Sequence, residues 1–431
     1  MQKVLIVGAG LSGLMTAYLL ARNADVDVTV LECGNTYDSR LRSTKPNLVS
    51  GVGGAGTVFG GKLCLPPASG GVWRHTDYSH ERFFQFEQKC LNSFGLECSD
   101  TAQETTLRKD YMQHGVGEKS YHSVLVKKEK MNAYVKQLLT TLDAHGVKIK
   151  TNCRFLGYRK SGQKFLANYS ESNTLVAYSV YDVLIMATGR FSAGRMENLL
   201  GKDVLLRKQS PDLGFRFSMQ LQEDSTFGSI GKDVKLKAQI SGIGIRTFCV
   251  CSGGDKTIVD LHGTRYYDGH FVDEISDLAN VGVLARSPKI VGNEMAYDFC
   301  RHLEKYLSAD LTLKDFVKYH HKLISDTHVY DELLGALSTF VKALSATGAI
   351  EGNLDEYPMW LPSVDRLNSY VMTDSHFETN VSNLFVIGDA AGISRGFVQS
   401  LWSAYCASEG VLHRLSEEVY TSSPVAYRIA V

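Results

Sequence analysis

The chain begins with a pattern of apolar and glycine-rich segments that is typical of one supersecondary unit. Val4–Val7 is a short apolar run, and Asp27–Leu31 is a second one. Between them, Gly8-Ala9-Gly10-Leu11-Ser12-Gly13 leads into an apolar segment that continues to Arg22. The short runs predict buried strands and the longer segment predicts a helix. Together they predict a β-α-β unit of a parallel sheet.

Each glycine of this unit meets a separate steric demand. Gly8 permits the tight turn, Gly10 lets the backbone approach a pyrophosphate, and Gly13 lets the helix pack on the strand. The free N–H groups of the first helical turn favour phosphate, and an acid after the second strand can accept hydrogen bonds from a ribose. The sequence therefore predicts a dinucleotide site with contacts from Gly8, Gly10, Leu11, Ser12, Gly13 and Glu32.

The stretch Val4–Ala21 also has a second interpretation. It contains no charged residue, which is typical of a signal peptide or a membrane span as well. The turn glycines, Ser12 and the lack of a small-residue cleavage pattern favour the buried strand and helix. We therefore expect a cytoplasmic protein without a membrane partner.

The charges of the chain are balanced. Lys and Arg number 46, as do Asp and Glu, so the formal net charge is zero. This balance gives no indication of a nucleic-acid partner. Arg40, Arg42 and Lys45 form a local basic cluster, which we interpret as a solvated loop.

The nine cysteines are scattered, and an odd number without a signal peptide predicts reduced thiols. Their spacing, and that of the histidines, predicts no metal site. Cys249 and Cys251 are the close pair, and strand alternation would place both sulfur atoms on one face. Two small buried side chains are the favoured interpretation, and a redox-active pair is the alternative.

The densest glycine cluster follows the first unit. It covers residues 51–56 and continues with Gly60-Gly61-Lys62. Ordering such a segment has a high entropy cost, which contact with a flat or charged ligand would offset. A flexible loop is the alternative. We predict ligand contacts at Gly54, Ala55 and Gly56.

The later elements predict an α/β fold. Tyr181–Met186 is a buried strand that ends in a small-residue turn, and Leu384–Ile387 is another. Residues 195–368 contain short alternating runs, which predict antiparallel strands. We therefore predict a Rossmann-like domain, a parallel sheet with helices, over residues 1–194 and 369–431. It would carry a small helical insertion at about 76–115 and an inserted, mainly antiparallel β substrate or cap domain at 195–368.

Three motifs in this order resemble the glutathione-reductase-type FAD-binding flavoproteins. They are the first glycine turn with Glu32, then Ala187-Thr188-Gly189, then Ile387-Gly388-Asp389-Ala390. The resemblance implies that Asp389 binds the ribityl chain of FAD and that the strand after Gly146 meets the adenine near Phe155. The further contacts that it implies are Ala187, Thr188, Gly189, Gly388, Gly392 and Ile393.

A narrower similarity is to a poorly characterised bacterial FAD-dependent dehydrogenase family. Residues 53–56 with Gly61-Lys62-Leu63, residues 388–396 and residues 246–254 carry it. The chain departs from the family pattern at Phe59-Gly60-Gly61, where Ser-Asp-Gly is usual, and at Ala390, where Gly is usual. This resemblance implies a cofactor rather than a reaction.

FAD is the predicted cofactor, and we expect it to be non-covalent, although His75 and Cys64 lie near the flavin loop in sequence. A second glycine turn for a nicotinamide is absent from the sequence, so NAD(P)H would act only as a transient electron donor. Flavin carries the hydride chemistry, and the protein supplies orientation and charge.

The catalytic candidates are three polar residues near the predicted flavin. Lys62 could reach flavin N5 or a substrate anion, with a solvated lysine as the alternative. Arg395 could bind an anionic substrate or the flavin carbonyls, and Gln399 would share its helical face. Arg246, in the middle domain, is a candidate substrate contact.

These predictions lead to an FAD-dependent oxidoreductase, a dehydrogenase or reductase. It would transfer hydride to or from a small or medium organic substrate, at a C–C or C–N bond, between the FAD and cap domains. An FAD-dependent monooxygenase is one alternative. A non-catalytic flavin-binding or redox-sensing protein is another. The sequence leaves the substrate and the oligomeric state open.

Overall fold

The fold is described by a computed structural model that covers residues 1–43, 47–57, 61–68, 70–97, 109–172, 175–221, 225–228, 232–270, 276–324 and 328–422. Lys45 of the basic cluster lies outside the described residues, as do Phe59 and Gly60 of the family pattern.

The strands are β1 Gln2–Val7, β2 Val26–Leu31, β3 Gly61–Cys64, β4 Gly117–Val126, β5 Lys148–Lys150, β6 Cys153–Ser161, β7 Lys164–Glu171, β8 Leu175–Tyr181, β9 Val183–Met186, β10 Leu206–Arg207, β11 Asp212–Gln220, β12 Lys232–Ile240, β13 Ile243–Ser252, β14 Asp255–Leu261, β15 Thr264–His270, β16 Leu278–Arg286, β17 Leu311–Thr312, β18 Pro358–Asp365, β19 Tyr370–Val371 and β20 Leu384–Val386.

The helices lie between groups of these strands. They are α1 Leu11–Asn23, α2 Tyr37–Arg42, α3 Gly71–His75, α4 His80–Phe86, α5 Lys109–Gln113, α6 Lys128–Ala144, α7 Met196–Leu200, α8 Asn293–Leu303, α9 Leu313–Tyr319, α10 His328–Ala346 and α11 Phe397–Ser422. Within the described part of the chain, no helix combines the length and the apolar composition that crossing a membrane requires.

The predicted parallel sheet has five strands in the order β20-β9-β1-β2-β5. Each neighbouring pair is parallel. Val4, Leu5 and Ile6 of β1 have no exposed surface, which explains why the strand is continuously apolar rather than alternating. The helix predicted to reach Arg22 is α1, which ends at Asn23 and packs against α6 and α11.

The antiparallel part is an eight-stranded sheet in the order β17-β18-β11-β16-β13-β12-β4-β3. Together with the parallel sheet it confirms the predicted fold class. Six of these strands come from residues 195–368, but β3 and β4 come from residues before 195. The predicted domain boundaries stay a prediction, because this sheet joins strands from both predicted segments.

One long helix of the antiparallel part was not predicted. This helix, α10, spans 19 residues. Leu333, Leu337 and Phe340 on its buried face lie in the apolar core of the eight-stranded sheet. Apolar residues at helical spacing were the available signal, and the many short alternating runs around them obscured it.

Candidate functional site

A cavity of about 490 Å³ has walls from both sheets. Its volume lies in the range of small-molecule and cofactor sites. The predicted residues that line it are Gly8, Gly10, Leu11, Ser12, Glu32, Gly54, Ala55, Gly56, Lys62, Phe155, Ala187, Thr188, Gly189, Asp389, Arg395 and Gln399. The predicted residues Gly13, Gly388, Gly392 and Ile393, and the candidate Arg246, are not among the lining residues.

The turn between β1 and α1 requires glycine at two positions. Gly8 has a φ of 109°, and a Cβ there would overlap the carbonyl oxygen of Ala187. A Cβ at Gly13 would overlap the carbonyl oxygen of Gly8, so this glycine permits the close packing of helix on strand. Gly13 therefore acts behind the cavity wall and does not face a ligand.

Gly10 differs from these two glycines. Among the described residues, a Cβ at Gly10 would have only the Cα of Gly54 within 4 Å, at 3.9 Å, so this part of the fold has room for a methyl group. Gly10 is also the N-cap of α1, and no side chain of the described residues caps the helix there. The first-turn N–H groups thus retain their capacity to bind an anion.

Glu32 holds the two glycine segments together. Its carboxylate accepts hydrogen bonds from the N–H groups of Ala9 at 2.9 Å, Gly34 at 2.8 Å and Gly51 at 2.8 Å, and the residue is 5% exposed. The sequence predicted a ligand contact at Glu32 but not this structural role. Its carbonyl also accepts from the N–H of Cys153 at 2.8 Å, which brings the start of β6 to this end of the cavity.

Arg40 supports the glycine cluster from behind, so the prediction of a solvated loop is wrong at this residue. The side chain is buried, and its guanidinium donates to the carbonyls of Val52 at 2.6 Å, Asn47 at 2.9 Å and Gly54 at 3.0 Å. Arg42 is exposed, as predicted. The hydrogen bonds of Arg40 hold residues 51–54 in one conformation, which favours the ligand-contact interpretation of this part of the cluster over a flexible loop.

The end of β9 brings a second group of polar atoms to the cavity. The Thr188 hydroxyl is buried without a hydrogen-bond partner among the described residues. Arg190, which sequence reasoning missed, donates to Asp389 at 3.3 Å and to Asp268 at 2.7 Å. Burial raises the pKa of Asp389, while the positive charge of Arg190 opposes that effect. Asp389 therefore lines the cavity and is paired with an arginine, and its contact with the ribityl chain of FAD stays a prediction.

Gly388 and Gly392 let the last loop approach its neighbours. Their φ values are 66° and 79°. A Cβ at Gly388 would lie 2.6 Å from the Ser12 hydroxyl, and one at Gly392 would lie 2.8 Å from the Nε2 of Gln209. Both glycines thus shape the wall behind the cavity. Ile393 lies against Gly71 at the same side.

Lys62 is buried rather than solvated. Its Nζ lies 2.8 Å from Asp233 Oδ1 and 2.8 Å from the Val250 carbonyl, and 11% of the side chain is exposed. Burial alone would lower the pKa of Lys62, but the attraction of Asp233 raises it above the ordinary range. Lys62 is therefore a fixed cation at the cavity wall. Lys235, also in the lining, lies 3.2 Å from the other oxygen of Asp233.

Arg395 belongs to a network of arginines and aspartates. It pairs with Asp365, while Arg246 lies 2.5 Å from Asp212 and 3.6 Å from Asp365. Burial and the neighbouring Arg246 lower the pKa of Arg395 to about 9. Arg246 is engaged in this network, which explains why it does not line the cavity as expected.

Gln399 connects α11 to the segment after β3. Its Nε2 donates to the carbonyls of Cys64 at 2.9 Å and Ala68 at 3.2 Å. Its Oε1 is buried and has no hydrogen-bond partner within the described residues. The prediction that Arg395 and Gln399 share a helical face is wrong, because α11 begins at Phe397 after Gly396, whose φ is 111°.

Several lining residues lie outside the predicted site residues. Strand β13 contributes Phe248 and Cys249, which belong to the segment 246–254 that the narrower similarity singled out. The hairpin β14–β15 contributes Asp268, Gly269 and His270, which were not predicted. Strand pairing brings these three residues to the cavity, so the sequence offered no local signal for them. Of the two residues near the flavin loop in sequence, Cys64 lines the cavity and His75 does not.

Comparison with known proteins supports the predicted β-α-β unit at the start of the chain. A family model described as an NAD(P)-binding Rossmann-like domain matches residues 6–43. No curated protein sequence matches the chain.

Solved structures are similar to the chain over nearly its whole length. A geranylgeranyl bacteriochlorophyll reductase-like protein from Thermoplasma acidophilum is 13% identical, with a TM-score of 0.44 over 98% of this chain and 80% of that one. p-Nitrophenol 4-monooxygenase from Pseudomonas putida DLL-E4 is 14% identical, with a TM-score of 0.42 over 97% and 82%. Aklavinone-11 hydroxylase, in complex with FAD and aklavinone, is 13% identical, with a TM-score of 0.40 over 97% and 63%. These structures are too distant to assign a reaction, and the N-terminal unit of the chain is similar to NAD(P)-binding Rossmann-like domains over residues 6–43.

Proposed function

We propose that the chain is an FAD-dependent oxidoreductase that acts on a small or medium organic substrate. One observation carries this proposal. Within the described residues, the start of α1 has no side-chain cap, Gly10 faces open space and the Thr188 hydroxyl has no hydrogen-bond partner. All three belong to the same cavity as Lys62 and Arg395. A dinucleotide site and a positively charged site are thus continuous.

The residues at the nucleotide end fit the adenosine and pyrophosphate of FAD. The N–H groups of α1 favour an anion, and Gly10 leaves space for it. Glu32 and Phe155 would hold the adenosine, and Asp389 would hold the ribityl hydroxyls. Thr188 supplies a hydroxyl whose burial without a partner is unfavourable unless a ligand satisfies it.

The cavity residues around Lys62 and Arg395 fit a negatively charged group. When bound, FAD supplies hydride chemistry. Lys62 and Arg395 are held in place by Asp233 and Asp365, so their positive charges are oriented before any ligand arrives. The Oε1 of Gln399 offers a hydrogen-bond acceptor. These residues would bind and orient an anionic or polar substrate.

Two reaction types remain for such a site. One is hydride transfer at a C–C or C–N bond, and the other is monooxygenation. More of the solved structures named above are of hydroxylases or monooxygenases than of reductases. Their distance from this chain means that only an experiment separates the two types.

The decisive experiment is the absorption spectrum of the purified protein, with anaerobic addition of NADPH followed by air. Bands at about 370 and 450 nm, those of oxidised flavin, are expected. Bleaching by NADPH followed by rapid reoxidation and a hydroxylated product would identify a monooxygenase. Bleaching with slow reoxidation would identify a reductase.

Three other outcomes are informative. A bound flavin that NADPH leaves oxidised, but that an organic substrate reduces, would identify a dehydrogenase. A flavin that no donor reduces would favour the non-catalytic alternative. A colourless protein that does not take up added FAD would contradict the proposal.

A further inference from the structure

Cys249 and Cys251 bring two thiols together at the wall of the cavity. Their Sγ atoms lie 3.7 Å apart, and both cysteines are free. Simple alternation along β13 does not produce this geometry. The register of β13 with β16 shifts between Phe248 and Cys251, and Cys249 has a φ of 44°, a conformation that is uncommon for a residue with a side chain.

The two thiols differ in their access to the cavity. Cys249 lines it and is half-buried, whereas Cys251 is fully buried. A reagent in the cavity would therefore meet Cys249 first. The Cys251 Sγ atom lies 3.7 Å from Cys249 Sγ, so a small movement would let it reach the same sulfur atom. This is the arrangement of an attacking and a resolving thiol.

The charges around the pair favour a thiolate at the accessible position. The Arg216 guanidinium donates to the Cys249 carbonyl at 2.8 Å, and Lys62 donates to the carbonyl of Val250, between the two cysteines. A hydrogen bond from Cys251 lowers the pKa of Cys249, and the charges of Arg216 and Lys62 lower it further against the effect of burial. The pKa of Cys251 is raised, first by its hydrogen bond with Cys249.

We propose that Cys249 and Cys251 form a redox-active dithiol that exchanges with low-molecular-weight disulfides in the cavity. The dithiol lies in the wall of the cavity that we assign to the flavin, but its exchange does not require flavin chemistry. The structure holds the dithiol form. Conversion to the disulfide needs the sulfur atoms to approach by about 1.7 Å, since a disulfide bond is about 2.0 Å long.

The exchange is balanced in two steps. The Cys249 thiolate attacks one sulfur of the reagent, its disulfide bond breaks, and one thiolate leaves. Cys251, after losing its proton, then attacks Cys249 Sγ and displaces the second thiolate of the reagent. The protein loses two protons and two electrons, and the reagent disulfide gains them as two thiols.

The test uses the full-length protein and the neutral reagent hydroxyethyl disulfide. The protein is equilibrated at a series of ratios of this disulfide to mercaptoethanol, quenched with N-ethylmaleimide and digested with trypsin. Cleavage after Arg246 and Lys256 gives one peptide with both cysteines. As the share of disulfide reagent rises, we expect Cys249 and Cys251 to lose alkylation together, and added mercaptoethanol should restore it. The oxidised peptide should be lighter than the unalkylated dithiol peptide by two hydrogens.

Variants identify the order of attack. In Cys251→Ser the mixed disulfide on Cys249 should persist, whereas in Cys249→Ser no mixed disulfide should form at Cys251. Cys64→Ser is the matched control, because Cys64 also lines the cavity, and it should leave the transition unchanged. Two results in the wild-type protein would overturn the proposal by themselves. One is full alkylation of both cysteines at every ratio of disulfide to thiol, and the other is a cross-link between Cys249 and Cys64.

Discussion

Lys62 and Asp233 form a buried ion pair that connects β3 to β12 across the intervening strand β4. The Nζ and Oδ1 atoms are 2.8 Å apart, and 3% of the Asp233 side chain is exposed. Lys235 shares the same carboxylate at 3.2 Å. One carboxylate therefore holds two cations at the cavity wall.

Asp233→Asn should destabilise the protein strongly, because it leaves two lysines without their carboxylate in a buried site. We expect a loss of about 3–5 kcal/mol in the free energy of unfolding, the range found when one partner of a buried pair is removed. Urea denaturation measures it. The matched control is Asp27→Asn, which breaks the exposed pair with Lys148 and should cost less than about 1 kcal/mol. Equal losses in the two variants would contradict the prediction.

The same pair predicts a pH dependence of stability. Burial would raise the pKa of Asp233, but Lys62 and Lys235 together lower it from 3.8 to about 2. Because the folded pKa is below the unfolded one, this contribution is complete above pH 3.8 and is lost as the pH falls toward 2. The difference in unfolding free energy between wild type and Asp233→Asn should shrink by roughly 2 kcal/mol over that interval. If the difference in unfolding free energy between the two proteins stays constant down to pH 2, the lowered pKa of Asp233 is contradicted.

Gly10 and Gly13 should respond differently to the same substitution. Gly10→Ala adds a methyl group where the fold has room, so we expect unchanged unfolding but roughly a tenfold or greater loss in FAD affinity. Gly13→Ala forces the methyl group onto the Gly8 carbonyl, so it should lower stability by roughly 1–3 kcal/mol. Thermal unfolding and flavin titration separate the two effects. Loss of stability in Gly10→Ala would show that Gly10 has a structural role instead.

Gln399 should stabilise the fold through the hydrogen bonds that its Nε2 donates. Gln399→Leu removes the side-chain donor to the carbonyl of Cys64, while the carbonyl of Ala68 keeps its hydrogen bond from Trp73 Nε1 at 2.6 Å, and we expect a loss of about 1–3 kcal/mol. Gln137→Leu is the control, since its Nε2 bonds to a carbonyl at an exposed site. Chemical denaturation of both variants gives the comparison. A neutral Gln399→Leu would mean that other groups can satisfy these carbonyls.

Local patterns predicted the parallel part of the molecule well. The glycine turn, Glu32 and the apolar strands repeat a fixed spacing, so one sequence was sufficient to locate β1, α1 and β2. The small-residue turn at Ala187 was found in the same way. Their steric demands are local, and the residues that meet them are adjacent in the chain.

The other wall of the cavity could not be predicted, for a physical reason. Lys62, Cys249 and Asp268 meet there because distant strands pair across the eight-stranded sheet and a hairpin packs on it. The bulge at Cys249 also breaks the alternation on which the prediction depended. The partners that fix Arg395 and Arg190, Asp365 and Asp268, are likewise remote in sequence.

The position of β20 at the edge of the parallel sheet has a consequence for biosynthesis. β20 pairs with β9, and α11, which follows it, packs against α1. The wall that includes Asp389, Arg395 and Gln399 is synthesised more than three hundred residues after the first strand. Over that interval the nascent chain carries a glycine turn and a sheet edge that lack their partners. A ligand that needs this wall can therefore bind only after α11 has begun to form, and it would join a sheet whose other strands are already made.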